Sequence, residues 1–235
     1  MASITAVVGS PKRADNSMTA GLVKDLFTRL RELVPELKAE LICLSERNVD
    51  LCKGCLMCQT TGQCQLDDDV VAIRDELRRS DMLVFASPVH ISQVSAIYKN
   101  FLERMLVGLH TFEFLGKPSL TVITANGSGE QDTKKYLNHM ALLFGCIPVG
   151  TVVRLDNEEF DQKAYSSVLK NAAAILSGTK SCRPTFRNTL YFMSMKSIIM
   201  KNESYFQYEA KVWKERGWEK SSFRKLVSNL PRSHA

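Results

Sequence analysis

SITAVVGSPKRADNSMTAGLVKDLFTRLRELVP, residues 3–35, decides the fold. Its first eight residues, 3–10, are β-branched or small and apolar almost without interruption, the composition of a strand covered on both faces. From about Ser17 to Val34 the period changes. Met18, Leu22, Val23, Leu26, Phe27, Leu30 and Leu33 recur at three- and four-residue spacing, which predicts a helix that Pro35 ends. The polar stretch between them is short, so strand and helix form one βα unit.

Working outward, the same unit repeats. AELICLS (39–45) reads as a second strand. Asp67 to Asp69 then offer an N-cap to a helix carrying Val70, Ile73 and Leu77, and DMLVFASP (81–88) is a third strand. A helix is expected from about Ser92 to Leu109. SLTVITAN (119–126) is a fourth strand, Gln131 to Phe144 a helix stopped by Gly145, IPVGTVVR (147–154) a fifth strand, and Glu159 to Leu176 a last helix. Strands separated by helices must pair in parallel through right-handed crossovers. The expectation is an α/β, doubly wound five-stranded parallel sheet occupying residues 1–182, with a Cys-rich insertion at 51–66. Beyond Cys182 the alternation stops; 186–200 and 205–218 read as two aromatic-rich helices of a C-terminal helical extension, 183–235. They are expected to pack on the domain or on a partner subunit.

A chain of 235 residues, 45% hydrophobic, can bury one sizeable core. No apolar run approaches the roughly 20 residues that cross a bilayer, and residues 1–13 lack a signal-peptide pattern. These features predict a soluble, cytoplasmic protein with no membrane partner. The net charge of +6 comes largely from single Lys and Arg residues spread among aromatics near the C-terminus, and no nucleic-acid module is present. An odd count of seven cysteines argues against a disulfide scaffold.

Sheets of this kind bind ligands beyond the carboxyl ends of their strands, so the turns after strands one, three and four are the places to search. GSPKRADNSMT (9–19) matches neither the dinucleotide fingerprint nor the P-loop. It does gather Ser10, Lys12, Arg13, Asn16, Ser17 and Thr19 at a helix start, where free N–H groups favour a phosphate; an ordinary capped turn would look the same. LCKGCLMCQTTGQC (51–64) places Cys52, Cys55, Cys58 and Cys64 within thirteen positions. Such density suits a 4Fe-4S cluster. A zinc site, a reversible thiol pair and an unmetallated loop stay open on these residues alone. Cys43 and Cys146 read as small buried hydrophobes.

GSPxR near the N-terminus, SPV after the third strand, and YKNFLER (98–104) in place of an LK-x-F-x-DR pattern resemble the flavodoxin-like family of NAD(P)H-dependent FMN reductases. The four-cysteine run followed by Asp67 and Asp68 resembles its iron-sulfur flavoprotein branch, and the likeness spans roughly residues 3–178. It implies an FMN-dependent oxidoreductase. Ser10, Lys12, Asn16, Ser17, Met18 and Thr19 would hold the FMN phosphate. Pro88, Val89, His90 and Ile91 would lie along the isoalloxazine, with Thr124, Ala125, Asn126, Gly127 and Ser128 completing the ring site. Cys52, Cys55, Cys58 and Cys64 would ligate a 4Fe-4S cluster. Two positions depart from the pattern: Lys12 stands where Arg is common, and His90 where Tyr is common. His90 taken alone is a packing or hydrogen-bonding residue or a proton donor. No protein acid, base or nucleophile is assigned, since the flavin carries the chemistry. The resemblance further implies NAD(P)H as cosubstrate, a small-molecule acceptor or ferredoxin-like protein as electron partner, and a homodimer or homotetramer. Within it, a cluster-free reductase of FMN, quinones or nitro compounds and a non-catalytic flavin electron carrier are the alternatives.

Overall fold

The computed structural model describes residues 1–156 and 158–230. Five strands form the parallel sheet: β1 (Ser3–Val8), β2 (Lys38–Cys43), β3 (Met82–His90), β5 (Pro118–Ala125) and β6 (Ile147–Leu155). Their order is β2-β1-β3-β5-β6, and a two-residue strand, β4 (Gln93–Val94), folds back antiparallel on β3. The helices are α1 (Met18–Leu33), α2 (Met57–Thr61), α3 (Val70–Arg79), α4 (Ala96–Arg104), α5 (Leu106–His110), α6 (Glu130–Leu143), α7 (Gln162–Leu176), α8 (Phe186–Lys201), α9 (Gln207–Glu215) and α10 (Phe223–Ser228). No described helix is long and apolar enough to cross a membrane.

The continuous apolar strands follow from coverage of both faces. Along β1 and β3, Ile4, Ala6, Val8, Met82, Val84 and Ala86 pack toward α1 and α7. The alternate residues Val7, Leu83 and Phe85 pack toward α3, α4 and α6. Cys43 and Cys146 are buried, as expected of free thiols in a core. Strand order reverses between β1 and β3, so the turns that leave them diverge to opposite faces and open a crevice at the carboxyl edge.

The helix expected from Ser92 to Leu109 is corrected. β3 runs on to His90, Ile91 and Ser92 take left-handed φ values of 50° and 58°, and the chain returns as β4. A two-residue turn with both φ positive matches strand twist, which is why the chain makes a hairpin here and not a helix. Ser95 is the true N-cap, accepting from the Tyr98 N–H at 3.3 Å. Met105 then breaks the helix into α4 and α5. Smaller corrections concern α2, which lies unforeseen inside the cysteine run, and α10, a further turn of helix in the extension.

The extension, described to residue 230 with 231–235 outside the described residues, closes a third apolar cluster against the domain. Phe112 and Ile147 meet Phe192, Ile199, Trp213, Trp218 and Phe223 there. Trp213 stacks on Phe192 at 4.9 Å between ring centroids and donates from Nε1 to the His110 carbonyl at 2.9 Å. Asn188, fully buried, donates to the Cys146 carbonyl at 2.7 Å, so the start of α8 is tied to the sheet. Trp213→Ala should therefore destabilise the whole protein by about 3–5 kcal/mol. Urea denaturation followed by circular dichroism checks this; a loss under about 1 kcal/mol would mean the extension is not part of the cooperative unit.

Candidate functional site

Three turns meet at the carboxyl edge. In the first, Ser17 caps α1 by accepting from the Ala20 N–H at 3.2 Å, which leaves the Met18 and Thr19 N–H groups without helical partners. Ser10 is buried and receives the Lys12 N–H at 3.2 Å, while the Lys12 carbonyl accepts from the Ser45 hydroxyl at 2.9 Å. Glu46 accepts the Ala14 N–H at 3.0 Å and pairs with Arg13 at 3.7 Å. The turn is thus held from outside, by the end of β2. Lys12 and Asn16 remain exposed on it.

The other two turns are joined to the first. Thr19 and Thr124, both buried, share a hydrogen bond of 2.6 Å between their hydroxyls, which links α1 to the end of β5. Ser95 donates its hydroxyl to the Gly9 carbonyl, and its N–H to Ser87 at 3.2 Å, which links the β3–β4 hairpin to the end of β1. The third turn lies so close to the hairpin that a Cβ on Gly129 would stand 2.9 Å from the Ser92 Cα. Pro88 and Val89 are half-buried, whereas His90 and Ile91 at the hairpin tip are exposed. Ala125 is buried, and Asn126 and Ser128 face solvent. Every residue expected from the three turns is therefore brought to one edge. Sequence reasoning missed Ser87 and Ser95, which join the hairpin to the end of β1, and Ser45 and Glu46, which hold the first turn from the end of β2; Ser95, a small hydroxyl ahead of a helical period, was the legible one.

Two cavities border this edge. One of about 360 Å³ lies between α1 and β6, lined by Met18, Asp25, Arg29, Arg154 and Phe160 among others. A larger groove of about 940 Å³ runs from the hairpin tip, Ile91 to Gln93, along α6 to Arg187 and Tyr191 of α8. Neither is lined by residues 10–16.

The cysteine run is held by a different device, the later part of α4. Asn100 and Arg104 stand four apart on α4 and so present one face to it. Asn100 accepts the Cys52 N–H at 3.0 Å and donates to the carbonyls of Val49 and Asp50. Arg104 donates to the Asp50 carbonyl at 2.8 Å and grips both oxygens of Asp68, one of them at 2.9 Å. Asp68 also accepts the N–H groups of Asp50 and Val70. Side chains of both ions are essentially inaccessible, 1% for Arg104 and 0% for Asp68. Burial works to raise the Asp68 pKa, but the Arg104 guanidinium and the two N–H donors override it and hold the carboxyl below its usual range. The N-cap of α3 falls at Asp69, within the expected Asp67–Asp69 stretch; its side chain makes no capping bond, and the Asp68 carboxylate meets the first N–H of α3 instead.

Between these anchors lie the four thiols. Burial pushes the Cys58 thiol up, and Cys64, Cys52 and Cys55 are near enough to push the same way. The Arg104 guanidinium lies beside Cys64, and its Nε is buried without a hydrogen-bond partner. Among the described residues no group of three or more Cys, His, Asp or Glu side chains is drawn tightly enough to hold a metal ion as it stands. Cys52 and Cys55 are exposed, and Cys58 and Cys64 half-buried.

Asp68→Asn should leave Arg104 as an uncompensated buried charge and cost about 3–5 kcal/mol at neutral pH. Because the folded pKa of Asp68 lies below the unfolded value of about 3.9, its contribution is complete above that value and is lost as pH falls through the folded pKa. Stability measured against pH should therefore fall less steeply below about pH 4 in the variant than in the parent; parallel curves would overturn the assignment.

The profile of the NADPH-dependent FMN reductase family matches residues 2–160. An iron-sulfur flavoprotein of Archaeoglobus fulgidus is 25% identical over 219 residues, covering 90% of this chain and 97% of that protein. One of Clostridioides difficile is 25% identical over 224 residues, 91% and 98% of the two chains. Among solved structures, an NADH:FMN oxidoreductase superposes with a TM-score of 0.55 at 21% identity, over 80% of this chain and 94% of that one. An FMN-dependent NADH-azoreductase of Bacillus anthracis in complex with FMN superposes with a TM-score of 0.52 at 17% identity, over 74% and 99%. The two superpositions bear on the fold, which is flavodoxin-like. This chain belongs to the NADPH-dependent FMN reductase family, and the curated relatives it resembles are named iron-sulfur flavoproteins.

Proposed function

We propose that the chain takes electrons from NAD(P)H or a ferredoxin-like protein and passes them to a small-molecule acceptor, using FMN at the carboxyl edge and a 4Fe-4S cluster on the cysteine run. The single observation that carries this reading is the joining of the three turns at one edge, with Thr19 bonded to Thr124 and Ser95 to Gly9. FMN when bound accepts a hydride and releases electrons in pairs or singly, and a cluster relays them singly.

The residues present fit both groups. Ser10, Ser17 and the N–H groups of Met18 and Thr19 supply neutral donors for a phosphate, with Lys12 and Asn16 at its solvent side. The hairpin from Pro88 to Ile91 supplies one wall for a ring, and Thr124 to Ser128 the other. His90 has open access to a ring lying there, as a hydrogen-bond donor. For the cluster, the donor set is four thiols on one short loop, with the loop ends fixed by Arg104. This reading extends to a cytoplasmic homodimer or homotetramer built from an FMN domain, 1–182, and the extension. A cluster-free NAD(P)H reductase is the second reading, favoured by the spread of the thiols in the structure as it stands.

Anaerobically purified protein should show flavin bands with a broad brown shoulder, and about four iron and four sulfide per chain. Cys64→Ser should lose the shoulder and the iron and keep the flavin. Protein that carries flavin without iron or sulfide would establish the second reading; protein that stays colourless after incubation with FMN would refute both.

A further inference from the structure

The cysteine run is held at its ends by α4, but its middle is held by the C-terminal extension. α2, which contains Cys58, ends at Gly62 with φ 77°, and Cys64 follows two residues later. A Cβ built on Gly62 would stand 2.2 Å from ring carbons of Tyr208. The tyrosine of α9 thus lies directly against the backbone of the turn that separates Cys58 from Cys64. Only glycine satisfies both the left-handed backbone and this approach.

α9 is a rigid platform for that ring. The residue beside Tyr208 is Glu209, fully buried and bonded to His110 Nδ1 at 3.1 Å. Phe206 meets the His110 ring edge-on at 5.4 Å, and Trp213 is locked between Phe192 and the His110 carbonyl. Three contacts therefore fix α9 to α5, with Tyr208 presented toward α2.

We propose that Tyr208 is a positioning residue of the thiol site: its ring sets the Gly62 turn so that Cys58 and Cys64, on either side of it, face the same centre. This rests on the reading of the cysteine run as the metal-binding element. Cys52 and Cys55 lie ahead of α2, and Cys52 is held through Asn100 instead.

The test uses the full-length, metal-free chain and follows the iodoacetamide alkylation rate of each cysteine by mass spectrometry, comparing the parent with Tyr208→Ala and Tyr208→Phe. Cys58 and Cys64 should react at least about tenfold faster in the alanine variant, as their half-buried state relaxes. Cys52 and Cys55, exposed already, should be unchanged, and the phenylalanine variant, which keeps the ring, should match the parent. Cys43 and Cys146 report on the core. Unchanged rates at Cys58 and Cys64 would overturn the proposal. Cys146 reacting in step with them would overturn it too, since Tyr208 would then be an ordinary packing residue. Because no metal is needed for this readout, its outcome is independent of the iron and sulfide analysis, which decides the cluster reading separately.

Discussion

The guanidinium of Arg104, forked onto Asp68 and the Asp50 carbonyl, is the contact on which the functional edge depends. It joins the two ends of an excursion between β2 and α3 to a helix that enters directly from the β3–β4 hairpin. Two ions removed from water lose several kcal/mol of solvation each, and only complete hydrogen bonding recovers it. Here the carboxylate has two guanidinium nitrogens and two backbone N–H groups. The pair therefore specifies one arrangement of the excursion more than it adds net stability. Any other register would leave a buried charge unmatched.

With that clamp in place, α4 relates the two candidate sites. Its N-cap, Ser95, fixes the hairpin to β1, and its last turns fix the cysteine run through Asn100 and Arg104. The edge where three turns converge and the loop that gathers four thiols are thus mounted on opposite ends of one nine-residue helix.

Much of this was legible in the sequence, and the rest was hidden for physical reasons. The five parallel strands, α1 with its Ser17 cap, and the buried Cys43 and Cys146 follow from period and composition, which local chemistry fixes. The hairpin at Ile91 and Ser92 was not readable, because a β-branched residue rarely adopts positive φ and no Asn-Gly or Gly-Asn marks the turn. Arg104 and Asp68 stood in noted motifs, yet their pairing is a contact over 36 positions that no spacing rule reveals. The same holds for Tyr208 and Gly62. Aromatics in the extension announced packing; which backbone they would meet depended on the complete fold.

The clamped ends carry one more implication for the length of the excursion itself. When the termini of a loop are pinned, the entropy of closing it grows only with the logarithm of its length, so adding three residues between Asp50 and Asp68 would cost about 0.1–0.2 kcal/mol. Lengthening of the run ahead of α2 is therefore nearly free thermodynamically. What resists change is the fork that pins the ends and the Gly62 turn beneath Tyr208, and a lineage could lengthen the chain between them without redesigning the sheet beneath it.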